Sequence, residues 1–327
     1  MQDRFGREID YLRISLIDHC NLRCTYCMPL ATGGFLPHGD LLRPAEIQAI
    51  ARVAVSLGFR KIRLTGGEPT LRADLVDIVA RLAAIAGLRD LALTTNGVLL
   101  PRLAAPLAAA GLRRVNVHLD TLHPERLARL MRFGSVGEIW AGILAAENAG
   151  LAPIKLNAVV TRGYNDVDVV ELAALTRTRP WHVRFIELMP LGVGEPAAVA
   201  RQAFVPSAET RGRIEAALGT LVPLPRTDPA DEAVNYRLGA GAGTIGFISP
   251  VSAPYCGTCN RMRLTAEGRF HLCLLHDDEL DVRAALHDGG DTAVAAVLRR
   301  AVGAKPTGHD LADDRTVEAR EMFQLGG

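Results

Sequence analysis

Six short runs of β-branched and apolar residues, separated by stretches with helical periodicity, constrain this chain's fold more than any other feature. The predicted strands are Tyr11–Ile17, Lys61–Thr65, Asp90–Thr94, Arg114–Leu119, Ile154–Val160 and Val183–Leu188. The predicted helices are Pro44–Ser56, Ala73–Ala84, Pro101–Ala110, Val136–Asn148 and Asp166–Leu175. Pro44 and Pro101 sit where a first helical turn tolerates proline. Gly58, Gly111 and Gly150 follow three helices as C-terminal caps do. Strands separated by helices pair in parallel, so the class is α/β, either a partial barrel or a doubly wound sheet. In both, ligands gather at the C-terminal ends of the strands. From Pro190 to Pro229 the chain is rich in Pro, Gly and Ala, with one predicted helix near Glu209–Leu218. From Asn235 on it reads as short strands and turns. The expected division is a strand-and-helix domain over residues 1–220 and a C-terminal region over 221–327.

The second constraint is six cysteines in two triplets at opposite ends of the 327 residues. Cys20, Cys24 and Cys27 are spaced C-x3-C-x2-C; Cys256, Cys259 and Cys273 are spaced C-x2-C-x13-C. The thiols of a cytosolic chain stay reduced, and three thiols leave one unpaired in any disulfide scheme. Closely spaced thiolates suit a soft-metal site. Zinc usually takes four ligands, so a zinc reading needs His19, His271 or His276 as a fourth, and it stays open for the second triplet. A cubane cluster on three cysteines leaves one iron free to bind a substrate or cofactor.

Composition excludes some classes. The net charge is +1, so no global field draws the chain to nucleic acid or a membrane surface, and any anion site must be local. Apolar stretches such as Leu103 to Leu112 are too short to span a bilayer. Met1 to Asp10 is charged and has no apolar leader segment. The expectation is a cytoplasmic enzyme.

Strands buried on both faces of a parallel sheet should be nearly all apolar. Here they carry Arg13, Lys61, Arg63, Lys155 and Arg184. Lys61 and Arg63 are two apart and share a face, as do Arg261 and Arg263 if their segment is extended. Cations at strand ends can snorkel to solvent. Four strands carrying them together point instead to a lumen built for a polyphosphate. Arg113 and Arg114, at the turn into their strand, are expected to be solvated.

Cys20, Cys24 and Cys27, with Tyr26 before the last, read C-x3-C-x-aromatic-C, and Thr65-Gly66-Gly67-Glu68-Pro69 follows the second strand. Both resemble the radical S-adenosylmethionine superfamily. A wider set resembles the molybdenum cofactor biosynthesis protein A family, the GTP 3′,8-cyclases, over essentially the whole chain. It comprises Tyr11-Leu12-Arg13-Ile14-Ser15, Lys61-Ile62-Arg63, Thr94-Thr95-Asn96-Gly97, Arg184-Phe185-Ile186-Glu187-Leu188-Met189-Pro190, Phe247-Ile248-Ser249-Pro250-Val251 and the terminal Gly326-Gly327.

The resemblance implies an incomplete TIM-type β/α barrel with a C-terminal extension carrying a second cluster. It implies two [4Fe–4S] clusters, one on each triplet, the first chelating S-adenosylmethionine and the second binding guanine. Tyr26, Gly67, His118 and Met189 would line the S-adenosylmethionine site. Arg13, Arg63, Thr94, Lys155, Arg261 and Arg263 would contact GTP, with Lys61 and Arg184 facing the triphosphate. The implied reaction is the first step of molybdenum cofactor biosynthesis, in which a 5′-deoxyadenosyl radical takes hydrogen from C3′ and C3′ bonds to C8. Arg13 and Arg263 are candidates for later proton or hydrogen transfer, and no catalytic residue is assigned. Implied partners are an external electron donor of flavodoxin or ferredoxin type and a downstream pterin-forming synthase; a homodimer is compatible with the sequence. The chain departs from the family at His118, usually serine; at His19, often arginine; and at Lys305-Pro306-Thr307-Gly308-His309-Asp310. The competing reading is a radical enzyme with an auxiliary cluster that modifies a peptide, which would need fewer converging cations. An electron carrier would leave Gly66-Gly67-Glu68-Pro69 without a purpose.

Overall fold

The structure is a computed structural model and describes residues 1–31, 34–191, 194–228, 230–309 and 320–326. Six strands match the expected ones closely: β1 (Tyr11–Ser15), β2 (Lys61–Thr65), β3 (Asp90–Thr95), β4 (Arg114–His118), β5 (Lys155–Val160) and β6 (His182–Glu187). They lie in sequence order, each parallel to the next. The later strands are β7 (Leu221–Pro223), β8 (Ala233–Leu238), β9 (Thr244–Ile248), β10 (Arg261–Leu264), β11 (Arg269–His271) and β12 (Glu279–Asp281). β10 adds in parallel beside β1, and β9 adds in parallel beside β6. The C-terminal part of the chain therefore extends the partial barrel at both edges of one sheet. Antiparallel β11 and β12 flank one side, β8 and β7 the other.

Parallel register stacks the charged positions. Arg263, Arg13 and Arg63 are neighbours across β10, β1 and β2, and the same row continues through Ala92 to Arg114. Adjacent strands lie about 4.8 Å apart, so these side chains crowd one face. The opposite face is apolar: Leu12, Ile14, Ile62, Leu64, Leu91, Leu93, Val115 and Val117 are almost fully buried under the outer helices.

Helices α1 (Pro44–Ser56) and α5 (Val136–Asn148) have the expected bounds. α2 (Leu75–Ala83), α3 (Leu100–Ala109) and α6 (Val169–Ala174) are shifted or shorter than expected, α6 running on into a 3-10 turn. Three helices depart from the expectation. α4 (Pro124–Met131) fills a stretch left unassigned, burying Leu127, Leu130 and Met131. The stretch read as holding one helix holds two, α7 (Gly194–Gln202) and α8 (Ser207–Leu218). The C-terminal region is not only strands and turns: α9 (Arg283–Ala304) is a helical run broken at Gly290, whose φ of 57° lies outside helical geometry. The Gly289-Gly290 pair hides that helix from periodicity, because glycine is a poor helix former. A last turn, α10 (Met322–Leu325), brings the tail back to the barrel. No helix among the described residues is long and apolar enough to cross a membrane.

Candidate active site

The first cysteine loop leaves the C-terminal end of β1, as the topology requires. Its Arg23 and Thr25 amides donate to the carbonyls of Met131 and Leu130, so the end of α4 supports it. On the other side it rests on the glycine pair. The Gly67 amide donates to the Ile17 carbonyl (2.6 Å) and the Glu68 amide to the His19 carbonyl (2.7 Å). A Cβ on Gly66 would lie 2.5 Å from the Ile17 carbonyl oxygen, and one on Gly67 2.6 Å from that of Asp18. Backbone meets backbone here, and only glycine permits it. The buried Glu68 carboxylate accepts from Thr70, from the Thr95 hydroxyl (2.6 Å) and from the Asn96 amide (2.7 Å). It pins the cysteine-side loop to the loop after β3 rather than standing free.

Cys20, Cys24, Cys27, Tyr26, Gly67, His118 and Met189 line one cavity of about 200 Å³. The Tyr26 hydroxyl donates to Asp120 (2.7 Å) and lies 2.6 Å from His118 Nε2, itself 3.0 Å from Asp120. Burial works against the imidazolium, but the Asp120 carboxylate outweighs it and raises His118 to about 10. His118 thus sits against a buried carboxylate that keeps it charged. Met322 and Phe323 close the cavity, and Gly326 packs against Thr65 so closely that a Cβ would collide with its hydroxyl. The tail reaches the site; Gly327 lies outside the described residues.

The second triplet sits at the other end of the same lumen. Cys256 and Cys259 occupy the turn before β10, and Cys273 follows β11. All three line a cavity of about 140 Å³ with Arg13, Arg63, Arg261, Arg263 and Lys305. A buried clamp fixes this loop: Arg7 donates to the carbonyls of Cys256 (2.9 Å), Thr307 (2.9 Å) and Pro306 (2.5 Å), and pairs with Asp3 (2.7 Å). Lys305 donates to the Leu272 carbonyl (2.8 Å) and His309 lies 2.9 Å from the Pro250 carbonyl. The 305–309 stretch is therefore the wrap around the second triplet; Asp310 lies outside the described residues. Replacing Arg7 with Met leaves three carbonyls unpaired, each loss costing about 1–3 kcal/mol. The expected outcome is loss of about half the bound iron on reconstitution, with the first site retained. Iron analysis and electron paramagnetic resonance of R7M check this.

The two triplets differ electrostatically. Burial, followed by the Glu68 carboxylate, pushes the Cys20 thiol up to about 12. Burial also acts on Cys259, but Arg261 and Lys305 outweigh it and bring that thiol down to about 6. Among the described residues no three Cys, His, Asp or Glu side chains converge on one metal-ion position. The thiols instead ring a cavity, three to each, which fits a cubane cluster with one open iron better than a four-coordinate zinc.

The cations line the second triplet's cavity and the adjoining mouth at the strand N-termini. Arg13, Arg63, Arg184, Arg261 and Arg263 are each at most 8% exposed. Burial, then its neighbours Arg184, Arg114 and Arg63, pushes Lys155 down to about 7. Burial acts likewise on Arg63 and Arg263, each lowered to about 10. Arg114 is not solvated as expected: it pairs with Asp90 (3.0 Å) and, with Lys61, Lys155 and Arg184, lines the mouth at the strand N-termini. Its register beside Ala92 turns it inward, whereas Arg113 is exposed. With its amide oriented toward them, the Asn116 side-chain oxygen accepts from Arg63 (3.0 Å) and Arg184 (3.2 Å). Thr94, Asn157, Ile186 and Met189 line both cavities and mark where their contents meet. Arg7, Asn116, Asp120 and Glu232 were not anticipated: Arg7, Asn116 and Glu232 act through residues remote in sequence, and Asp120, although two residues from His118, meets Tyr26 across 94 positions.

A partial barrel whose first strand delivers three cysteines to a glycine-walled cavity is the arrangement of radical S-adenosylmethionine enzymes. Residues 14–176 match the Radical SAM superfamily, and residues 181–311 match the Molybdenum Cofactor Synthesis C family. The chain is 47% identical to the GTP 3′,8-cyclase of Moorella thermoacetica and 48% identical to that of Pelotomaculum thermopropionicum, in both cases over 100% of each chain. The GTP 3′,8-cyclase of Geobacter sulfurreducens is 43% identical over 99% of each. This chain belongs to the GTP 3′,8-cyclase family. Among solved structures, Streptococcus suis SuiB bound to S-adenosylmethionine superposes with a TM-score of 0.60 at 15% identity, over 84% of this chain and 63% of that one. Methylornithine synthase (PylB) superposes with a TM-score of 0.51 at 16% identity, over 64% and 63%. That likeness concerns the fold.

Proposed function

We propose that this protein is a lyase that converts GTP to (8S)-3′,8-cyclo-7,8-dihydroguanosine 5′-triphosphate, the first step of molybdenum cofactor biosynthesis. The observation that carries this reading is the set of cations that line the second triplet's cavity and the adjoining mouth at the strand N-termini. Arg13, Arg63, Arg184 and Arg261 share the one carboxylate of Glu232, and burial together with the neighbouring cations depresses Lys155 and Arg63. Such a lumen is stabilised by a polyanion and would repel a neutral peptide.

When bound, a reduced [4Fe–4S] cluster on the first triplet supplies the electron that cleaves S-adenosylmethionine, and a second on Cys256, Cys259 and Cys273 offers an open iron to guanine. Tyr26, Gly67, His118 and Met189 form the wall that orients S-adenosylmethionine. Arg13, Arg63, Lys155, Arg184, Arg261 and Arg263 neutralise and hold the triphosphate, with Lys61 at its outer end. Thr94, at the junction of both cavities, faces the ribose. Holding both reactants in one closed lumen replaces a bimolecular encounter by an oriented one. Leu188, Val159 and Ile186 keep water from the reacting atoms. The same reading supplies a flavodoxin- or ferredoxin-type electron donor, a pterin-forming synthase that consumes the product, and a cytoplasmic setting.

The test is anaerobic turnover with dithionite, S-adenosylmethionine and GTP deuterated at C3′. Deuterium in the released 5′-deoxyadenosine is expected. Cleavage without label, equal with and without GTP, would leave a radical enzyme acting on something else, and a peptide would become the first candidate.

A further inference from the structure

The four guanidiniums of Arg13, Arg63, Arg184 and Arg261 come from four different strands, yet all are aimed at one side chain. Glu232 lies 3.2 Å from Arg13, 3.6 Å from Arg63 and 4.0 Å from Arg184, and it also pairs with Arg261. It is 8% exposed. Among the described residues no other carboxylate pairs with these four. The neighbouring acids are engaged elsewhere: Asp228 with Lys61 (2.5 Å), and Asp231 with the Ala233 amide (3.2 Å) and Asn235 (3.1 Å). Glu232 lines both the cavity of the second triplet and the cation-lined mouth at the strand N-termini, so its carboxylate forms the partition between them.

A ligand that places phosphates on these arginines needs the volume and the donors that Glu232 now holds. Two carboxylate oxygens spread over four guanidiniums satisfy them incompletely, and the Nε atoms of Arg13 and Arg63 remain buried without a partner. A polyphosphate has more oxygens and more charge to offer the same donors. Glu232 stands immediately before β8, whose Ala233 is in register with Ile248 of β9, so its backbone is anchored. Its side chain can leave by rotation about its own bonds.

We propose that Glu232 is an internal counter-anion that occupies the polyphosphate position and is displaced by the substrate, so that entry selects ligands with enough negative charge to outcompete it. This rests on the polyphosphate reading of the lumen given above. Before substrate arrives, Glu232 holds four mutually repelling cations in place. When the substrate arrives, the cost of expelling it is met by a triphosphate and not by guanosine. Burial opposes the charged carboxylate, but Arg261, Arg13, Arg63 and Arg184 outweigh it and hold Glu232 well below the usual range, so it competes as an anion at neutral pH.

The experiment is titration calorimetry on the reconstituted full chain and on Glu232→Gln, with GTP, inorganic tripolyphosphate and guanosine as ligands. Glu232→Gln is expected to bind GTP and tripolyphosphate roughly tenfold or more tighter, as close charge pairs allow, while guanosine is unchanged. Tripolyphosphate binding that is equal or weaker in the variant overturns the proposal. Should Glu232→Gln fail to fold with four unpaired cations, Glu232→Asp keeps the charge on a shorter arm; a gain in tripolyphosphate affinity is again expected, and no gain overturns the proposal. If tripolyphosphate binds tighter in the variant but GTP binds no better than tripolyphosphate in either protein, the counter-anion stands and the GTP reading falls.

Discussion

Alanine at Cys24 is expected to abolish the release of 5′-deoxyadenosine, by a factor on the order of a thousand or more, whereas alanine at Cys256 leaves release intact but ends its dependence on GTP. The asymmetry follows from where the thiols sit. Cys20, Cys24 and Cys27 share their cavity with Gly67, Tyr26 and His118, and none of them borders the second cavity. Cys256, Cys259 and Cys273 share theirs with the arginines, and they meet the first cavity only through Thr94, Asn157, Ile186 and Met189. Removing a ligand at one end therefore leaves the other end assembled. C256A should still cleave S-adenosylmethionine with dithionite, but deuterium from C3′-labelled GTP should no longer appear in 5′-deoxyadenosine. The measurement is mass spectrometry of 5′-deoxyadenosine from both variants. Equal loss of cleavage in both would show that the two cysteine sites do not act separately.

What the sequence made legible was set by local pattern. The six parallel strands and the glycines after three helices follow from residues that interact within a few positions of one another. So did the cysteine triplets, because ligand spacing is itself a local property. The cations were legible for a different reason: a charge inside an apolar strand contradicts its surroundings and draws notice at once. α4 was missed although Leu127, Leu130 and Met131 have helical spacing, because only eight residues carry the pattern. Two adjacent glycines concealed α9.

The rest of the site depends on contacts that no local pattern encodes. Glu232 meets Arg13 across 219 positions, and Arg7 meets the Thr307 carbonyl across 300. In sequence Glu232 is one acid in a polar, Pro-rich stretch, and nothing there distinguishes it from a solvated residue. Arg114 was misplaced because its position at a strand start suggested solvent, while the register with Ala92 turned it toward the lumen. A turn predicts exposure only when no wall stands opposite, and here Asp90 and Lys155 form one.

GTP affinity is expected to weaken as pH rises above about 7, and Lys155 is the residue responsible. Burial and the charges of Arg184, Arg114 and Arg63 lower its ammonium from 10.5 to about 7 in the free protein. A bound triphosphate reverses that balance, so binding takes up a proton wherever free Lys155 is neutral. Affinity then falls by up to about tenfold per pH unit above 7, until the pKa of the bound state is reached. Measurements from about pH 7.5 upward avoid titration of the phosphate itself, whose last proton leaves near pH 6. Lys155→Met should bind GTP more weakly at pH 7.5 and show a nearly flat profile, meeting the wild type at high pH. Without GTP the sign for stability is opposite. The unfolded chain holds the Lys155 proton up to about 10.5 while the folded chain has released it, so this residue adds stability as pH rises from 7 to 10.5 and costs stability below 7. Denaturant unfolding of wild type and Lys155→Met across that window should show the wild type gaining on the variant with pH. A wild-type GTP profile as flat as the variant's would place Lys155 outside the triphosphate site, and the cation row would have to be explained without it.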